Sequence, residues 1–214
     1  MRDLVLAMGL APLLLAEPAH ADTEPPRRFD VAASFGYAFP VGSSERGAGL
    51  SDMTFGNVPI DMTAIYRLSR RFAFGISGRY AFVIPTLCGD SSECISSLGH
   101  DVAIQVRARF FLPRLLGAEP YADAGLGYEW FASKLVDTGK TSTHAYDGPT
   151  FFAGEVGMPF ELGSRWTLGP VLGFSLGAFV QSHLDAPGIS RDLGTSDPGV
   201  HAWLSLAVRT SFRF

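Results

Sequence analysis

From Phe29 onward, apolar residues recur at every second position, whereas a helix would repeat them every three or four. In the first segment Phe29, Val31, Ala33, Phe35, Tyr37 and Phe39 share one face, and Asp30, Ala32, Ser34, Gly36 and Ala38 share the other. The same alternation predicts strands over 58–68, 72–84, 102–111, 122–130, 152–162 and 166–180. The last strand sets Leu204, Leu206, Val208, Thr210, Phe212 and Phe214 against Ser205, Ala207, Arg209, Ser211 and Arg213. The breaks alternate in length: long at 40–56, 85–100, 133–149 and 181–199, short at 69–71, 113–119 and 163–165. Eight strands joined in this way predict an antiparallel up-and-down meander with all its long loops at one end. Pro159 and Pro170 cannot donate to a ladder, and both fall near the 163–165 turn, where strand ends or bulges tolerate them.

Charge is sorted strictly between the two faces. The bulky face carries none in any strand, while the opposite face carries Arg67, Arg79, Arg107, Arg109, Arg209 and Arg213 with Asp30, Asp61, Asp101, Asp123, Glu129, Glu155 and Glu161. An eight-stranded barrel has a narrow interior that small or interdigitating side chains fill, so the bulky face must point outward. An outward belt of Phe, Leu, Ile and Val far exceeds the apolar patch that soluble monomers expose, and lipid removes that conflict. A strand of about ten residues tilted by about 40° covers about 25 Å, the height of the apolar band in transmembrane barrels. Aromatics gather near both ends of this face: Tyr66, Phe72, Phe110, Phe160, Trp166 and Phe214 toward the short turns, and Tyr37, Phe39, Tyr80, Phe82, Tyr128, Trp130 and Phe152 toward the long loops. The expected fold is therefore an all-β, eight-stranded transmembrane β-barrel over 29–214, closed by pairing its first and last strands.

Residues 1–21 differ from the rest. Arg2, the apolar stretch Leu4–Ala16 and then Ala19-His20-Ala21 read as a cleaved signal peptide, with 22–28 as a short lead. Thirteen apolar residues rise only ~20 Å as a helix, too short for a ~30 Å hydrocarbon core. The whole chain of 214 residues carries a net charge of −4, and its basic residues cluster no further than Arg27-Arg28 and Arg70-Arg71, which argues against a nucleic-acid partner. Cys88 and Cys94 bracket a short polar segment, which in an oxidising compartment reads as a loop-stapling disulfide. Two thiols make only half a zinc site, so no metal and no cofactor is expected.

The terminal run Leu204-Ser205-Leu206-Ala207-Val208-Arg209-Thr210-Ser211-Phe212-Arg213-Phe214 and the segment Pro120-Tyr121-Ala122-Asp123-Ala124-Gly125-Leu126-Gly127-Tyr128 resemble the small eight-stranded bacterial outer-membrane proteins, the OmpA-barrel, OmpX and OmpW-like group. The resemblance covers Phe29 to Phe214. It implies a cell outer-membrane location in a Gram-negative bacterium, recognition by the outer-membrane barrel assembly machinery through Phe212 and Phe214, contact with outer-membrane lipid and a monomeric state. The peptidoglycan-binding domain that follows OmpA-type barrels is not expected here.

Three functions are weighed, of which the first, a non-enzymatic role, is the expected one. The inward charges Asp61, Arg67, Arg79, Arg107, Arg109, Asp123, Glu129, Glu155, Glu161, Arg209 and Arg213 suit a lumen plugged by mutually neutralising pairs, leaving a structural or surface-interaction role to the barrel. The same residues suit the wall of a narrow, porin-like channel for small solutes. A lipid-modifying enzyme is the third reading, for which Ser182-His183-Asp185 and Ser142-His144 offer no nucleophile and base at a demonstrable spacing, so no catalytic residue is assigned. His100, His144, His183 and His201 all map to the long-loop end and read as solvated. Gly139-Lys140-Thr141 echoes a phosphate-binding loop, but Lys134 stands where its leading Gly is needed.

Overall fold

The computed structural model describes residues 28–45, 48–85, 94–137 and 140–214. Eight long strands run in chain order: β1 Phe29–Glu45, β2 Thr54–Arg67, β3 Phe72–Pro85, β4 Cys94–Phe111, β5 Tyr121–Asp137, β6 Lys140–Gly157, β7 Trp166–Ala186 and β8 Ile189–Arg213. Each pairs antiparallel with its sequence neighbours, and β8 closes on β1 through a register from Asp30↔Arg213 to Gly42↔His201. Closure leaves no long edge, as a sheet in hydrocarbon requires. Two-residue strands at Ala48–Gly49 and Phe160–Glu161 and one helical turn at Leu50–Met53 complete the described structure. No described helix is long and apolar enough to cross a membrane.

The alternation falls as the sequence requires. Phe35, Met62, Ile76, Val106, Leu126 and Leu206 stand on the outer wall and are each more than half exposed, while Ser34, Thr63, Ser77, Arg107, Asp123 and Arg209 are buried inside. The exterior is apolar and the interior ionic, the reverse of a soluble barrel. His201 shows how tight the interior is: a Cβ added to Gly177 would lie 3.1 Å from its imidazole.

The strand ends depart from expectation. In place of irregular loops at 133–149 and 181–199, β5 and β6 stay paired to Asp137↔Lys140, and β7 and β8 to Ala186↔Ile189. The second hairpin turns on Pro187-Gly188, and Gly188 at φ +82° supplies the left-handed backbone that a two-residue turn needs. The physical reason is that pairing continues wherever two backbones lie side by side, whether or not one face is greasy. Pro159 lies in the break between β6 and the Phe160–Glu161 strand, and Pro170 lies inside β7 near its start. The leader 1–21 and Cys88 lie outside the described residues, as does the pairing of Cys88 with Cys94.

Candidate functional site

The barrel interior is the candidate site, and its polar side chains fall into three tiers. At the short-turn end, Arg67 reaches Asp30 at 3.0 Å and clasps Glu119 with two bonds of 3.2 and 2.9 Å. Arg213 donates to the same Glu119 at 2.7 Å and lies 3.5 Å from Glu161, which Arg114 also meets at 2.9 Å. The Arg67 guanidinium lies 3.8 Å over the Phe111 ring, so an apolar face covers the side of the ion that no carboxylate reaches. Burial opposes the charge on Glu119, yet Arg67 and Arg213 outweigh it and hold its carboxyl below the usual range.

The middle tier gathers three arginines around two acids. Arg107 donates to Asp123 at 2.9 Å and Glu155 at 3.2 Å, with Ser77 and Gln105 taking its remaining N–H groups. Arg109 donates to Asp123 at 2.8 Å and stacks 3.7 Å over Tyr121. Arg209 grips Glu155 through both terminal nitrogens and also donates to the Tyr121 hydroxyl, which in turn donates to Glu155 at 2.6 Å. Guanidinium and carboxylate match as two-pronged partners, which is how charge is kept at buried positions.

The upper tier is acid-rich. Arg79 pairs with Asp61 at 2.9 Å, Asn57 donates to Asp101 at 3.1 Å, and Glu129 accepts from Trp203 Nε1 at 2.8 Å with His201 Nε2 at 3.2 Å. Above it Phe131, Tyr146, Phe179 and Trp203 pack with Val83, Leu50 and Ala38 into an apolar cap. His201 stacks on Phe179 at 3.9 Å. Two cavities among the inward side chains offer about 10 Å³ each, room for one water molecule apiece.

The sequence matches no family model and no curated protein. Solved structures do match it. A major outer membrane protein from Thermus thermophilus superposes with a TM-score of 0.61 at 13% identity, over 87% of this chain and 99% of that one. The outer membrane protein OprG from Pseudomonas aeruginosa gives 0.56 at 12% identity over 87% and 95%. The fold is that of an outer-membrane β-barrel. Neisserial surface protein A, at 0.52 and 13% identity over 87% and 97%, has the same architecture. At these identities the likeness concerns the barrel fold, and the residues inside this outer-membrane barrel fold must be read on their own geometry.

The eleven inward charges named from sequence all take part in the contacts above, although Glu161 sits at the mouth with a third of its side chain exposed. Several participants were missed, among them Asn57, Tyr146 and Phe179 toward the long-loop end and four others. Glu119 falls in a short turn, where alternation assigns no face; Tyr121, Phe131 and Trp203 extend the inward phase of Asp123, Glu129 and Ser205 by one step, a signal that was there to follow. The solvated reading of His201 is corrected: it is 2% exposed, because β8 carries its inward phase up beneath the cap. His183 does lie at the surface, paired with Asp192 at 2.7 Å and 3.5 Å from Asp147. Ser182 is buried while His183 is half exposed, and as neighbours on one strand they face opposite ways. His100 is exposed, with its ring parallel to Tyr80, and His144 and Ser142 are half-buried.

Proposed function

We propose that the protein resides in a bacterial outer membrane as a barrel whose lumen is closed by its own side chains, and that its function lies in contacts made by the outer hairpins. The observation that carries this reading is the crossing of the lumen by bonded charges. Arg209 of β8 meets Glu155 of β6, and Arg107 of β4 meets Glu155 as well, so partners from separated strands occupy the space a solute would need. The apolar cap closes the same path a second time. The β7–β8 hairpin continues from Phe179 to its turn, roughly 20 Å at strand rise, and offers an extended surface beyond the membrane. The opposed orientations of Ser182 and His183 argue against a nucleophile and base at that place.

Conductance in planar bilayers tests the closed lumen. The inserted protein is expected to give no discrete current steps. Steps in the unaltered protein whose size changes in Arg107→Ala or Arg209→Ala would establish the narrow channel instead. Binding assays with barrels whose Ile189–Asp192 segment is replaced by Gly and Ser test the surface role, with loss of cell-surface or matrix adhesion as the expected result.

A further inference from the structure

The turn-side rim of the barrel carries a feature that the lumen does not use. Arg28 leads into β1, Arg70 and Arg71 occupy the β2–β3 turn, Arg114 the β4–β5 turn and Arg165 the β6–β7 turn, so every connection at this end presents arginine. Arg28, Arg70, Arg114 and Arg165 are exposed, and only Arg114 meets a carboxylate among the described residues. Asp30, Glu119 and Glu161, the acidic side chains at this end, are engaged by Arg67, Arg213 and Arg114. The side chains of the rim are therefore basic, with no acidic side chain left over among the described residues to neutralise them.

The residue type and the depth are both informative. The chain has only two lysines, Lys134 and Lys140, and both belong to the β5–β6 hairpin at the opposite end. Guanidinium binds phosphate oxygens as a planar fork, which an ammonium cannot do. Two of these arginines adjoin an aromatic of the turn-side girdle in sequence, Arg71 beside Phe72 and Arg165 beside Trp166, and Arg28 adjoins Phe29, whose ring lies 5.9 Å from that of girdle Phe214. Girdle aromatics lie at headgroup level, so the rim lies there too. The backbone fixes the positions, since the carbonyls of Arg28, Arg71 and Arg165 accept from Arg67, Phe111 and Arg213 at 2.8, 2.8 and 3.0 Å. Leu115 and Leu116, the latter 85% exposed, project from the same end and suit the acyl boundary better than water.

We infer that this rim is a binding collar for the phosphate headgroups of anionic phospholipid in the leaflet at the short-turn side. The inference rests on the membrane-barrel reading, and its test separates the two. The barrel is reconstituted in nanodiscs of phosphatidylcholine alone and of phosphatidylcholine with phosphatidylglycerol in equal parts, and lipids retained on release are counted by native mass spectrometry.

Folding in phosphatidylcholine alone, seen by heat-modifiable gel migration, is the expected result for the barrel; failure to fold in any bilayer would overturn the barrel reading and the collar with it. In the mixture, phosphatidylglycerol is expected to be retained roughly tenfold over its share, and to fall toward parity as salt is raised to about 1 M, where the Debye length shrinks to about 3 Å. The combined Arg28→Gln, Arg70→Gln, Arg114→Gln and Arg165→Gln variant is expected to show no preference, the same sites changed to Lys an intermediate one, and Arg191→Gln at the outer end the full preference. A folded barrel without preference would overturn the collar alone. Inorganic phosphate at millimolar concentration should leave the retained phosphatidylglycerol in place; full displacement by it would show that the rim binds free phosphate and not lipid.

Discussion

Arg209 and Glu155 stand 54 residues apart in sequence and meet across the interior as a two-pronged pair, with Tyr121 bonded to both. Glu155 also serves Arg107 and Arg109, so one carboxylate answers three guanidinium groups. Its removal leaves buried cations short of a partner, a far larger effect than loss of a surface pair. Glu155→Gln is expected to lower stability by about 3–5 kcal/mol, read as the shift in urea midpoint for the vesicle-inserted barrel. A change below about 1 kcal/mol would show that the middle tier is wet and weakly coupled.

Glu119 makes stability depend on acid. Its folded-state carboxyl titrates below its unfolded value, so its contribution is complete above the ordinary carboxylate range and is lost as pH falls through the lowered folded value. Unfolding midpoints measured from about pH 7 to about pH 3 are expected to fall more steeply in the unaltered protein than in Glu119→Gln. Near neutral pH that variant is expected to be less stable by about 2 kcal/mol, since it weakens charge-assisted bonds from Arg67 and Arg213.

The cap joins apolar packing to a polar anchor. Trp203 is 1% exposed and donates to Glu129, whereas Trp130 and Trp166 stand on the outer wall. Trp203→Ala is expected to destabilise by about 3–5 kcal/mol through the cavity it leaves. Trp203→Phe keeps most of the packing but removes the donor, for about 1–3 kcal/mol. The same variant should abolish the fluorescence that a lipid-borne quencher fails to reach.

Depth along the outer wall sets the effect of a charge placed there. Val106 lies between the two aromatic bands and Leu68 at the turn-side end, both more than half exposed. Val106→Arg is expected to cost about 2–4 kcal/mol in vesicle unfolding and Leu68→Arg about 0–1 kcal/mol. Equal effects at the two positions would contradict the placement of the hydrocarbon layer.

The strands were legible from Phe29 onward because each has one apolar face and one polar or small face, a contrast that period-two counting detects. That contrast ends where the wall leaves hydrocarbon. Around Ser182–Asp192 neither face is consistently apolar, so the continuing ladder gave no signal and read as a loop. Inward residues followed from phase alone where a strand was recognised, as with Arg107 and Asp123. Which acid meets which base did not follow, because pairing across the lumen depends on stagger between strands distant in the chain. Glu119 shows the remaining gap: a turn has no phase, and only its three-dimensional path brings that carboxylate back over the mouth.

The seam between β1 and β8 has a consequence for how the molecule comes into being. Take away the final strand and two rows of peptide groups, one on β1 and one on β7, would face oil with nothing to bond to. No shorter ring is on offer, since a circle of seven alternating directions cannot close antiparallel. A wall that lacked its carboxyl-terminal strand would leave both rows without partners in the bilayer, so the ring is complete only once that strand is in place.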